Sequence, residues 1–198
     1  MTTRVLIAGI LGGIAMYIWS TLAHVVLPLG QVGFSQMPNE VAVLAAARAS
    51  NGGKDGLYFF PWVDPKDPQL MQKMDAAIKT GPSGLLLYHP PGHGVTDMAG
   101  PMIMEFLKEV LQALIAAFLV SLAGVRTYFG RVGFVTLIGA AVAITTNISY
   151  WIWYGFPVDY TLAAVAIELI DYIAAGLAIA WWLGRKSGAM TAAATATT

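Results

Sequence analysis

Residues 101–116 read PMIMEFLKEVLQALIA, and the fold turns on how this stretch is read. It opens a long apolar run, yet Glu105, Lys108, Glu109 and Gln112 lie within its first turns. Glu105, Glu109, Gln112 and Ala116 recur at i, i+4, i+7 and i+11, which is one face of a helix. A lipid-facing surface does not carry two carboxylates and an ammonium without a large cost. That face is therefore expected to look at protein, water or a ligand.

Composition sets the environment. The chain has 198 residues, 57% hydrophobic and only 11% charged, where a soluble domain carries ~25% charge. A membrane protein is expected, with the lipid bilayer as its surroundings. The formal net charge is zero, which excludes the basic footprint of a nucleic-acid binder. There is no cysteine. Disulfide staples, thiolate metal sites and CxxC redox chemistry are excluded, and so are four-helix membrane folds that depend on paired cysteines.

Outward from the central stretch, four apolar runs appear. Residues 5–27 form the first, long enough to cross a ~30 Å hydrocarbon core. The run exceeds a signal-peptide core and holds Tyr17 and Trp19, so it reads as a retained span. One of its faces carries Gly9, Gly13, Tyr17, Ser20 and His24. Gly9 and Gly13 make a GxxxG, expected to serve close packing inside the bundle before dimerisation. The second run is 102–125 and the third 132–153, with Gly139, Ala143, Asn147 and Tyr150 on one face. The fourth is 160–183, where Ala164, Glu168, Asp171, Ala175 and Ala178 share a face. Tyr150, Trp151, Trp153, Tyr154 and Phe156 suit an interfacial belt, as do Trp181 and Trp182.

Residues 28–100 are the one long polar segment. A helix is expected over 38–49 and a second from Asp67-Pro68 to Gly81, with Leu70, Met74 and Ala77/Ile78 as its apolar face. Short strands are expected over 56–62 and 84–89. Two strands alone are marginal in water, so helices are expected to pack on them and the whole to lean on the bundle.

The expected fold is thus an all-α membrane protein, a four-transmembrane-helix bundle with a small α/β extracytoplasmic cap between helices 1 and 2. Residues 1–27 are the first span, 28–100 the cap, 101–186 spans two to four, and 187–198 a low-complexity disordered tail. Arg4, Arg126, Arg131, Arg185 and Lys186 fall on one side if the spans alternate, which makes both termini cytoplasmic. The outer segment lacks an Asn-x-Ser/Thr sequon, which favours a bacterial inner membrane with residues 28–100 outside.

On this threading the polar residues of all four spans fall toward the outer side. Glu168 and Asp171 sit roughly 12 to 17 Å below the start of helix four. The expected ligand-binding set is Glu105, Lys108, Glu109, Asn147, Glu168 and Asp171. Unpaired carboxylates in a low dielectric protonate or recruit a cation. The leading expectation is an outward-facing pocket for a metal ion or a small polar or cationic ligand. An enzyme with Glu109 or Asp171 as proton carrier is a sub-case for which no reaction is indicated. The bland alternative is a buried network that only locks the bundle. The rival class is an accessory or assembly subunit, satisfied by a membrane-protein partner or a second copy of the chain.

A second set is His24, His89 and His93, the last two in His89-Pro-Pro-Gly-His93 ahead of Met98, Met102 and Met104. Imidazole with thioether suits copper, or another divalent metal ion. Two histidines in a Pro/Gly turn without a fixed geometry equally suit a solvated loop. No GxSxG, P-loop or HExxH occurs, and Glu105-Phe-Leu-Lys108 has lysine where a di-iron motif needs histidine.

Overall fold

A computed structural model describes residues 2–50, 52–92, 94 and 97–185. The tail, Lys186 and His93 lie outside the described residues. The chain is mostly helical, with one small sheet.

Helix α1 spans Thr3–Thr21 and continues as a π-helical turn over Leu22–Val26. It stops at Leu27, whose extended backbone is what a following proline enforces. Pro28–Gln31 then form a single 3-10 turn. Helix α2 spans Glu40–Ser50, and helix α3 spans Leu70–Thr80. Between and after them lie strands β1, Gly56–Phe60, and β2, Gly84–Tyr88. The strands pair antiparallel, with Gly56 opposite Tyr88 and Phe60 opposite Gly84. Helix α4 spans Ala99–Leu122. Helix α5 spans Tyr128–Ala143, capped by the Thr127 hydroxyl, which accepts from the Gly130 amide. A second π turn over Ile144–Ile148 leads into α6, Ser149–Tyr154. Gly155, left-handed at φ 67°, ends that helix, and Pro157 starts α7, Val158–Gly184.

Among the described residues three helices are long and apolar enough to cross a membrane: Thr3–Val26, Tyr128–Tyr154 and Val158–Gly184. Helix α4 has comparable length, but each 18-residue window along it includes Glu105, Lys108 and Glu109. The long helices pack in the order α4, α1, α7, α5, so α1 and α7 are central and α4 and α5 touch only slightly.

Small residues permit that order. A Cβ on Gly13 would lie 2.5 Å from the Val110 Cα, and one on Gly9 would lie 2.7 Å from the Leu114 Cα. The GxxxG therefore seats α1 directly on the α4 backbone. Gly139 in turn lets α5 close on the Tyr172 side chain of α7. Ala113, Ala116 and Ala117 of α4 join Ala8, Met16, Ala175 and Ile179 in the core.

The expected strands are found. The expected packing of helices on them is not. Neither α2 nor α3 has a buried residue, and neither packs broadly on the sheet or the long helices among the described residues. For α2 the cause lies in its surface. In α2, Val41 is 81% exposed and Leu44 57%, because its apolar residues are spread around the helix instead of forming one stripe. Leu70, Met74 and Ala77 of α3 form the expected face and are half-buried. Ahead of α3, the Asp67 carboxylate accepts from the Gln69 amide and from Lys73.

Candidate functional site

The charged face of α4 points where its spacing requires. Glu109 and Ala116 are buried, Glu105 and Gln112 half-buried. The opposite face, with Leu107, Leu111, Ile115 and Leu122, is exposed and apolar apart from Ser121 near its end. Lys108 bridges the carboxylates of its own helix, with Nζ 2.8 Å from Glu105 Oε1 and 3.2 Å from Glu109 Oε1. The lysine side chain is half exposed, whereas Glu109 is 1% exposed.

Helix α7 supplies the facing wall. Glu168, Asp171 and Tyr172 follow at i, i+3 and i+4 on the side turned toward α1 and α5. Asn147 donates its Nδ2 to Glu168 Oε2 at 2.9 Å and to the Ala143 carbonyl at 3.1 Å, tying α5 to α7. Trp19 of α1 donates its indole N–H to the Ile167 carbonyl, tying α1 to α7 nearby.

Between these walls lies a cavity of about 430 Å³. It is lined by all six residues of the expected ligand-binding set: Glu105, Lys108, Glu109, Asn147, Glu168 and Asp171. His24 joins them from the first π turn, its Nδ1 2.9 Å from the Ser20 carbonyl. Four carboxylates thus face one ammonium. Glu109 Oε2 and Asp171 Oδ1 are buried and have no hydrogen-bond partner among the described residues. A buried carboxylate oxygen left without a donor costs more than an ordinary lost hydrogen bond. These two atoms are the cavity's strongest unmet demand.

Other lining residues were not foreseen. The stretch after the first π turn folds back over the cavity, so Leu29, Gly30, Val32 and Phe34 line it together with Tyr160. Gly30 packs against the His24 ring, and a Cβ there would fall within 2.4 Å of His24 Cδ2. Gly33, at φ 83°, lies against the Tyr160 backbone, and Phe34 meets the Tyr160 ring edge-on at 5.7 Å. Two glycines shortly after Pro28 were the only signal that this strap must pass close to something.

Of the histidine set, His24 and His89 are not brought together. His89 pairs with Asp55 at 2.8 Å, is well exposed, and does not line the cavity. His93 lies outside the described residues. Among the described residues no group of three or more His, Asp or Glu side chains is gathered to hold a metal ion. Of the set expected for copper or another divalent ion, the two described histidines, His24 and His89, lie apart. The reason is local: in a Pro/Gly turn, sequence spacing fixes no direction for a side chain.

No family model matches the chain, and no curated protein or solved structure matches it.

Proposed function

We propose that the protein is a four-span membrane protein whose cavity binds a small polar cation bearing N–H donors. The observation that carries this reading is the pair of orphaned carboxylate oxygens, Glu109 Oε2 and Asp171 Oδ1, lining one cavity from facing helices. A primary ammonium brings both the charge and the donors that those oxygens lack. The cavity of about 430 Å³ falls among small-molecule sites of roughly 300–1,000 Å³.

Helix α4 is the fourth span on this reading. Its three charges turn to the cavity and its other face is apolar, which is how ionisable residues are accommodated inside a bilayer. The excess of arginine at the opposite end of the bundle supports a cytoplasmic location for that end. The cavity then opens toward the outside, on the side of residues 28–100, in the inner membrane of a bacterium.

Native mass spectrometry on protein extracted gently from its own membrane is the test. A small adduct on a single chain is expected. Among added probes, primary amines should be retained and tetramethylammonium, which has no N–H, should not. Glu109→Gln and Asp171→Asn should each weaken retention while the protein still folds. Retention unchanged in both variants, or a stoichiometric assembly with other chains and no small adduct, overturns the reading.

A further inference from the structure

The eleven carboxylates of the chain are unevenly placed. None precedes Glu40 and none lies between Glu109 and Asp159. The end of the bundle opposite the acidic cavity is built from these carboxylate-free stretches and from the end of α7, which has none after Asp171. There Arg4 of α1, Arg126 of the α4–α5 connection and Arg131 of α5 converge on a groove of about 300 Å³. Thr2, Ser121 and Gly124 complete its polar wall.

Backbone contacts hold two of the three guanidiniums in place. Arg4 donates to the Leu183 and Arg185 carbonyls at the end of α7. Arg131 donates through Nε to the Val125 carbonyl at 2.9 Å. Each guanidinium has five N–H donors, so both keep donors to spare. Arg126 is exposed and has no hydrogen bond or ion pair among the described residues. No carboxylate pairs with any of the three: the ion pairs among the described residues all lie elsewhere. At the adjoining end of α1 the Thr2 side chain makes no capping bond, which leaves first-turn amides without a side-chain acceptor.

Three like charges drawn into one groove repel each other unless an anion sits among them. Arginines that only marked the cytoplasmic side would gain by spreading into water. These instead converge from three chain segments. Planar, bidentate forks with spare donors match a tetrahedral oxyanion better than a monovalent halide.

We propose that this arginine groove binds a phosphate group, supplied by the headgroup of an acidic membrane lipid or by free phosphate. The proposal is independent of the ligand in the acidic cavity.

The test uses the full chain in detergent micelles, followed by native mass spectrometry with three probes: phosphatidylglycerol, phosphatidylcholine and inorganic phosphate. Phosphatidylglycerol should be retained in preference to phosphatidylcholine. Arg126→Gln removes a side chain with no hydrogen bond or ion pair among the described residues and should weaken that retention roughly fivefold, the effect of one basic residue near an anionic surface. Arg126→Lys should fall between. Arg185→Gln removes the same charge from the same end, but its side chain stacks on Trp181 outside the groove, and retention should persist. Inorganic phosphate that displaces phosphatidylglycerol assigns the groove to free phosphate; phosphatidylglycerol that resists displacement assigns it to lipid. Equal retention of both lipids without phosphate binding overturns the proposal. Equal losses in Arg126→Gln and Arg185→Gln overturn it too, because the attraction would then be diffuse.

Discussion

Lys108 reaches two carboxylates of very different standing. Its contact with half-exposed Glu105 resembles a surface pair, worth at most about 1 kcal/mol. Its contact with Glu109 is another matter, because Glu109 is buried and its second oxygen has no partner. Removing the lysine strands that carboxylate. Lys108→Met should destabilise the protein by about 3 kcal/mol, the usual cost of breaking a pair with a buried partner. Adding Glu109→Gln should return most of that loss, since no charge is left to strand. Denaturation of the two single variants and the double variant in mixed micelles measures the coupling. Additive effects would mean that Lys108 and Glu109 do not share one network. At this scale the sequence was informative wherever helical spacing applied. Glu105, Glu109 and Gln112 on α4, and Glu168 and Asp171 on α7, could be assigned to faces before any coordinates. His89 could not, because a proline-rich turn has no repeating geometry.

Among the elements, the two π turns are what helical spacing conceals. Each inserts an extra residue, over Leu22–Val26 and over Ile144–Ile148, and each carries a cavity residue, His24 and Asn147. Such bulges recur at functional sites because they re-aim side chains without ending a helix. A period of 3.6 places Asn147 on the correct face of its helix but gives no sign of the local widening. The 28–34 strap was likewise hidden, since its contacts depend on tertiary approach. The glycine contacts are more legible and can be tested. Gly13→Ala should push α1 from the α4 backbone and cost about 1–3 kcal/mol by overpacking. Gly133→Ala, in α5 with open space around it, should leave stability unchanged or raise it by up to about 1 kcal/mol. Equal melting shifts for the two would remove the argument from close approach. Outside the long helices, the Lys73 ammonium beside Asp67 and the Gln69 amide hold its carboxyl below the usual carboxylate range. A depressed carboxylate contributes stability above its unfolded pKa and loses it as pH falls through the folded value. Amide protection in α3, the exchange rate taken relative to the intrinsic rate at the same pH, should therefore fall on acidification through the range below pH ~4, and Asp67→Asn should abolish that fall.

For the whole molecule, the absence of cysteine makes sidedness directly measurable. Gln72→Cys in α3 and Ala123→Cys after α4 are exposed positions at opposite ends of the proposed arrangement. A membrane-impermeant maleimide should label the first in intact cells and the second only after lysis. Labelling of both in intact cells would contradict four spans. The packing order also has a consequence for how the chain is made. Helix α1 leaves the ribosome before both helices it packs on, α4 and α7. Until α4 arrives, the backbone face at Gly9 and Gly13 has only lipid against it. Once α4 is in place, Glu109 lacks the facing wall that carries Asp171. The acidic cavity is complete only when the last long helix enters. On the four-span reading, a ribosome stalled before Val158 would therefore leave an intermediate with an unshielded carboxylate in the bilayer, a costly state that only the arrival of α7 relieves.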